Sequence, residues 1–399
     1  MRSLNMKLKE LFDVYSDYIM PTYTKTPLVF VKGKGSYLWD IHAKKYLDFF
    51  PGWGVNNIGH CHPKVLNAVR DQSGKLIFIP NNYFHLPQAA LAKEIVFWSF
   101  PAKIFFCNSG AEANEAAIKL SRIYGKGERY EIITFQNSFH GRTMGALSAT
   151  GQEKYKQGFS PLLEGFKIVR FNDIQAVKEA INPKTVAIML ELIQGEGGIN
   201  IADKEFVKEL RKICDTNNLL LIFDEVQTGM GRTGEVFCFK NYAVTPDLMT
   251  LAKSLGGGLP MGALVAKKEI ADTLQPGMHA STFGGSPLVC KAALAVFKAI
   301  QKEKMISNTK AQGKYLLEKL LEFKKIYPII KDVRGMGLMI GVELDRPCKD
   351  IVTKCAEKGL LLNCTHEKVL RLMPALNVTR KEVDKALKIL DSVLRLANG

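Results

Sequence analysis

LLLIFDEVQTG, residues 219–229, is the stretch on which the fold of this 399-residue chain turns. Leu219 to Phe223 form an unbroken apolar run that ends abruptly at Asp224 and Glu225. A short run of this kind reads as a strand buried on both faces, as in a parallel sheet. Similar runs recur on either side, at Lys103–Cys107, Glu131–Phe135, Thr185–Glu191 and Leu248–Ala252. Helical periodicity lies among them, at Leu86–Phe97 and Glu112–Tyr124. Buried strands alternating with helices from about residue 85 to 270 predict an α/β domain with a mainly parallel sheet.

Outward from this region the pattern changes. From about residue 286 a long helix through Ile300 leads into further helices and a strand in GMGLMIGVEL, residues 335–344, as expected of a smaller α+β lobe. Ser36–Asp40 and Lys45–Phe49 look like a hairpin packed on that lobe. The expected division is an N-terminal segment at 1–50, a large ligand-binding domain at 51–285 and a small domain at 286–399.

Composition narrows the function classes. Hydrophobic residues make up 47% of the chain, enough for a large core, and the 24% charged fraction is ordinary for a globular protein. No apolar run approaches the roughly 18 residues a membrane span requires. Residues 1–18, MRSLNMKLKELFDVYSDY, lack a leader's apolar segment, and Glu10 and Asp13 argue against a transit peptide. A cytoplasmic protein without a membrane partner is expected. The eight cysteines form no C-x-x-C pair, and several lie in apolar company, Cys107 and Cys214 among them; they read as reduced core thiols. The formal net charge of +16 is unusual. Its lysines are spread along helix faces, with no dense basic block interleaved with aromatics, so a solvated surface is expected, with steering of anionic substrates second and no nucleic-acid partner.

In a parallel α/β sheet, ligands bind just beyond the carboxyl ends of the strands, so the residues after each apolar run carry the argument. Asp224 could hold magnesium in an NTPase, pair with a buried cationic ring nitrogen, or cap the next turn. The NTPase reading needs a GxxxxGK[ST] loop, and the GK pairs at 33–34, 74–75, 125–126 and 313–314 lack its spacing or its Ser/Thr. FFCNSGAEANEAAIKLSR, residues 105–122, is a strand, a turn at Ser109-Gly110-Ala111 and a helix. Ser109 and Glu112 have the spacing of a capping box, and the free N–H groups of such a helix start suit a phosphate as well. After the EIITF strand, Phe139 can stack on a planar ring and Arg142 can clamp a carboxylate. Gln194-Gly-Glu-Gly-Gly198 places Glu196 between glycines that permit close approach or simply a turn. Lys253 ends the DLMTLA strand, where desolvation lowers an amine's pKa and favours imine formation; snorkelling to solvent is the alternative. Gly59-His60-Cys61-His62-Pro63 has no companion ligand cluster of zinc spacing, and Gly33-Lys-Gly35 is not placed within a βαβ unit; both read as turns and no metal is expected.

Taken together, NSGAEANEAAIK, FHGRT, QGEGG, FDEVQTGMGRTG, LAKSLGGGLPMGA and HASTFGGSPL resemble the class III (ω-amino acid) aminotransferases in order and spacing, from about residue 20 almost to the C-terminus. The resemblance implies the PLP-dependent transferase fold of type I and pyridoxal 5′-phosphate held as a Schiff base on Lys253, which also shuttles the proton. It implies that Asp224 pairs with the ring nitrogen, that Ser109, Gly110 and Ala111 hold the phosphate, and that Phe139 and Val226 sandwich the ring. Gln227 would reach the 3-oxygen, with Glu225 beside it in the cofactor set. Thr282 would bond the phosphate across a homodimer interface, and Ser281 would lie near the substrate. Within the family, FPGWGVNNIGHCHP, FFCNSGAEANE and PGMHASTFGG most resemble members that pass the ω-amino group of N2-acetyl-L-ornithine to 2-oxoglutarate, giving N-acetylglutamate 5-semialdehyde and glutamate in arginine biosynthesis. By the same resemblance Arg142 binds the carboxylate of the ω-amine substrate, Arg371 receives the α-carboxylate of glutamate, and Glu196 pairs with Arg371 until glutamate arrives. Ser286, Met373-Pro-Ala-Leu-Asn377 and Asn81-Asn-Tyr-Phe84 depart from the family pattern near the substrate end. Succinyldiaminopimelate, ornithine or 4-aminobutyrate are the alternative amines, and a non-catalytic basic nucleic-acid binder is the remote alternative of another class.

Overall fold

The structure is a computed structural model that describes residues 8–398. The first seven residues of the segment expected to lack a leader lie outside the described residues. Seven strands form the central sheet in the order Ala102–Cys107, Gly262–Lys267, Leu248–Leu251, Leu220–Asp224, Thr185–Leu190, Glu131–Phe135, Phe166–Val169. Gly262–Lys267 runs antiparallel to both its neighbours, and the remaining pairs are parallel. Thr185–Leu190 and Leu220–Asp224 are buried along their whole length. Their side chains alternate between two apolar layers: Leu221 and Phe223 enter one, Leu220 and Ile222 the other. Burial on both faces is why these strands read as continuous apolar runs.

Two of the seven strands have no counterpart in the sequence reading. Phe166–Val169 is an edge strand that is only partly buried, so its pattern is weak. Gly262–Lys267 follows the Leu248–Leu251 strand with only a single short turn, Lys253–Gly256, between them. With no crossover helix it must return antiparallel, which breaks the alternation that revealed the others.

A second, antiparallel sheet has the order Ile330–Met336, Met339–Leu344, Val369–Leu372, Asn363–Thr365. GMGLMIGVEL is therefore the bend of a hairpin and not one strand. The turn at Gly337 has φ +58°, and a Cβ there would lie 2.6 Å from the carbonyl carbon of Thr233, so only glycine fits. Near the N-terminus, Phe30–Lys34, Tyr37–Asp40 and Lys45–Asp48 form a meander whose last strand pairs in parallel with Leu360–Leu361. Buried Arg232 joins these regions by donating to the carbonyls of Leu338 and Pro374 and to Asn57 Oδ1. No helix among the described residues is long and apolar enough to cross a membrane.

The cysteine reading needs one correction. Cys348 and Cys364 form a disulfide with their Cα atoms 5.8 Å apart. The helix Lys349–Glu357 carries the chain away and back between them, so sixteen residues of sequence separate neighbours in space. No local spacing motif records such a contact. Cys107 and Cys214 are buried free thiols, pushed up to about 12 by burial. His60 and His62 serve packing contacts: their Nε2 atoms lie 2.7 Å from Asp48 and 3.2 Å from Glu303.

Candidate active site

The carboxyl ends of the parallel strands open into a cavity of about 490 Å³. Asn108, Phe139, Glu191, Asp224 and Lys253 line it, each arriving at the end of a different strand of the central sheet. Ser109, Gly110, Ala111, Arg142, Glu196, Val226 and Gln227 complete much of the wall.

At one end stands the helix Gly110–Tyr124. Ser109 caps it by accepting a hydrogen bond from Glu112 N at 3.2 Å, and Glu112 reaches back to accept from Asn108 N at 2.7 Å. Gly110 and Ala111 occupy the first turn, where an α-helix supplies no carbonyl for the backbone N–H. Those groups and the helix dipole make an anion seat at the cavity wall. The seat is shaped closely. A Cβ on Gly110 would lie 2.7 Å from Val226 Cγ1, and one on Gly141 would lie 2.8 Å from the Ala111 side chain.

Asp224 lies at the floor and is almost fully buried. Its Oδ2 accepts from Asn114 Nδ2 at 2.8 Å and lies 2.8 Å from His140 Nδ1, while its Oδ1 accepts from Val226 N at 3.0 Å. Burial pushes its pKa up, but the hydrogen bond and charge of His140 and the bonds from Val226 and Asn114 outweigh it, so the net shift is downward. A buried ionised carboxylate facing a cavity is suited to a cationic ring nitrogen. His140 moves the other way: burial lowers its pKa, but Asp224 raises it further.

Lys253 is half-buried opposite, in a left-handed backbone conformation with φ +45°. A non-glycine residue held there costs roughly 1–3 kcal/mol and belongs to the kind of strain that collects at functional sites. Burial lowers the amine's pKa, and nearby Glu196, Asp224 and Glu191 offset only part of that. An amine of lowered pKa, an ionised carboxylate, an anion seat and the side chains of Phe139 and Val226 in one cavity wall fit a phosphorylated pyridine aldehyde.

The substrate side holds two arginines in different states. Arg142 is exposed at the mouth, its guanidinium 4.1 Å from the ring centre of Tyr155 and 5.7 Å from that of Phe139. Arg371 does not line the cavity and is buried behind it. It donates through Nη1 to Glu196 Oε1 at 2.7 Å, to the Gly195 carbonyl at 2.7 Å and to Gln227 Oε1 at 3.3 Å. Burial raises the Glu196 pKa, but the charge and hydrogen bond of Arg371 bring it below its ordinary value.

Three residues named from the sequence lie elsewhere. Glu225 points away from the cavity and accepts from the backbone N–H groups of Cys238 at 2.6 Å and Phe239 at 2.7 Å. The chain alternates at the strand end, so Asp224 and Val226 face the cavity and the residue between them cannot; the side chain of Glu225 is structural. Ser281 and Thr282 lie on a neighbouring loop, where Ser281 Oγ accepts from Asn108 Nδ2 at 3.2 Å and Thr282 is exposed. The structure also brings in residues that the sequence reading passed over or weighed lightly: Asn114, Glu191 and His140. Asn114 had a signal, being the polar residue among Ala113, Ala116 and Ala117 on the helix's buried face. Glu191 bridges two loops, accepting from Phe139 N at 2.9 Å and Gly195 N at 3.3 Å.

Known proteins place this arrangement. The profile of the family described as Aminotransferase class-III matches residues 18–394. The chain belongs to that family and is a PLP-dependent enzyme that moves an amino group from a donor to a keto-acid acceptor. Among individual relatives, it is 53% identical to an acetylornithine aminotransferase of Caldanaerobacter subterraneus subsp. tengcongensis, over 94% of this chain and 97% of that one. It is 52% identical to an acetylornithine aminotransferase of Methanocaldococcus jannaschii, over 97% and 98% of the two chains. The fold superposes on the crystal structure of the ornithine aminotransferase from Toxoplasma gondii ME49 with a TM-score of 0.94 and 31% identity, covering 98% of this chain and 96% of that one.

Proposed function

We propose that the enzyme takes the ω-amino group of N2-acetyl-L-ornithine and delivers it to 2-oxoglutarate, giving N-acetylglutamate 5-semialdehyde and glutamate. One observation carries the choice of an acylated amine. Every carboxylate that lines the cavity is already engaged: Glu191 by two backbone N–H groups, Glu196 by Arg371, and Asp224 by Asn114 and His140. The free α-ammonium of ornithine would stand near Arg142 without a counter-charge, whereas an acetylated nitrogen needs none. Relatives 53% and 52% identical to this chain carry the same substrate in their names.

Pyridoxal 5′-phosphate, when bound, supplies the carbon that receives the amino nitrogen and the protonated ring that accepts the electrons of a C–H bond. Gly110 and Ala111 would hold its phosphate through backbone N–H, with the Ser109 hydroxyl beside them. Phe139 and Val226 would pack on the ring, and Gln227 would bond its 3-oxygen. Asp224, kept ionised by His140 and Asn114, would hold the proton on the ring nitrogen. Lys253 Nζ would take the proton from the substrate carbon bearing nitrogen and later give it back; burial lowers its pKa, in the direction that favours the neutral amine this step needs. Arg142 clamps the carboxylate of acetylornithine. Glu196 covers Arg371 during that half-reaction and releases it to the α-carboxylate of glutamate in the other.

The reading includes a homodimer with shared sites. Phe84, Leu86 and Phe283 are 106%, 86% and 62% exposed, around the loop that carries Ser281 and Thr282. Large apolar side chains gathered at one surface support a protein partner there, and light scattering of the purified enzyme tests it against a monomer. For the substrate, the PLP form would be mixed singly with acetylornithine, ornithine, 4-aminobutyrate and succinyldiaminopimelate, and loss of its visible band followed. Acetylornithine is expected to react fastest; faster conversion by ornithine overturns the assignment.

A further inference from the structure

The Asn363–Thr365 strand lies at the edge of the second sheet, and Asn363 sits directly opposite Arg371 in the ladder. Cross-strand partners share a face of the sheet. Asn363 Oδ1 accepts two hydrogen bonds from one edge of the guanidinium, from Nε at 3.1 Å and Nη2 at 2.8 Å. Two residues on, and so on the same face, Thr365 Oγ1 donates to the backbone carbonyl of Glu196 at 2.9 Å. Cys364, between them, points to the opposite face and is bonded to Cys348. One three-residue strand therefore grips both members of the Arg371–Glu196 pair and is itself fastened from behind.

A guanidinium can meet a carboxylate through its Nε/Nη2 edge or through its Nη1/Nη2 end. Asn363 occupies the first, and Glu196 and the Gly195 carbonyl occupy Nη1. When Glu196 leaves, the Nη1/Nη2 end loses its carboxylate partner and keeps on Nη1 only the Gly195 carbonyl and the longer contact to Gln227 Oε1, and it is the end that already faces Glu196. A neutral amide in this place fixes the fork's direction without consuming its charge. A carboxylate there would hold the same edge and neutralise the cation that glutamate needs.

We propose that Asn363 is a positioning residue that sets the enzyme's acceptance of α-carboxylates, with the disulfide-fastened Asn363–Thr365 strand as the seat of the gate. This rests on Arg371 being the α-carboxylate site. In Asn363→Ala holoenzyme, the half-saturation concentration for glutamate should rise about tenfold, the worth of one charge-assisted hydrogen bond. Its limiting rate with glutamate, and both constants with acetylornithine, should stay within about twofold of wild type, a margin well below the loss of one such bond. Asn363→Asp, of the same shape, should weaken glutamate selectively as well. Equal losses in both half-reactions, or no loss for glutamate in either variant, overturn the proposal. Arg371→Lys is run in parallel: if it does not selectively impair glutamate, the reading of Arg371 fails instead. If it does and the Asn363 variants do not, the positioning proposal alone fails.

Discussion

Removing the charge of Glu196 tests the gate most directly. The Glu196 carboxylate and Arg371 guanidinium meet at 2.7 Å, with the two side chains 18% and 1% exposed. Two unit charges about 4 Å apart attract by about 4 kcal/mol at the effective dielectric of a partly buried site. On the proposed gate, glutamate has to break that contact before its α-carboxylate can take Arg371, whereas acetylornithine leaves the pair intact. In Glu196→Gln the competition disappears, and Arg371 is left as a buried cation beside an incoming amine. The ratio of kcat/KM for the two half-reactions should therefore swing toward glutamate by up to about 10³-fold, the equivalent of about 4 kcal/mol. Stopped-flow single turnovers, with the cofactor's absorbance as the signal, measure each half-reaction separately. Most of the change should appear as slower acetylornithine turnover. Equal losses with both substrates, or a larger loss with glutamate, would refute the gating argument.

Gly110→Ala should displace Val226, whose Cγ1 a new Cβ would meet at 2.7 Å. The cofactor should bind more weakly by about tenfold or more, as overpacking by one methyl costs about 1–3 kcal/mol, and dialysis against cofactor-free buffer reads this while circular dichroism confirms the fold. Glu225 is pushed up to about 7 by burial, against an ordinary value of 4.5. Between those values the folded state keeps a proton that the unfolded state loses, so stability falls as pH rises from 4.5 to 7 and then levels. Thermal unfolding of Glu225→Gln against wild type should therefore show the variant's deficit shrinking by about 3 kcal/mol over that interval; a constant deficit contradicts the shift. Cys348→Ser opens a loop of sixteen residues and should lower stability by about 3 kcal/mol in the absence of reductant. Dithiothreitol should bring the wild type's melting temperature down to the variant's, and an unchanged wild-type melting temperature under reduction would count against a stabilising bridge.

Much of the candidate cofactor end was legible in the sequence because each of its residues sits beside a local signal. Asp224 and Lys253 follow apolar strands, Ser109 opens a capped helix, and Phe139 follows EIITF. Parallel strands all deliver their carboxyl ends to one edge, so locating the strands locates the site. The miss at Glu225 comes from the same local reading: adjacency to Asp224 placed it in the cofactor set, while the alternation of side chains turns it toward Cys238 and Phe239. His140 carried no comparable local signal, since its partner Asp224 is 84 residues away.

What the sequence determined by itself was the parallel α/β architecture and the placing of Asp224 and Lys253 at strand ends, while the class of chemistry followed from the family resemblance of the motifs around them. The first two depend on periodicity and on residues within a few positions of a strand end. Only the tertiary structure decided which groups those residues meet: the His140–Asp224–Asn114 cluster, the Arg371 cage of Glu196, Gln227 and Asn363, and the Cys348–Cys364 bridge. Each joins side chains from distant segments. Hydrogen bonds and disulfides act over a few ångströms of space, and nothing in chain order encodes that distance until the sheets have brought the segments together.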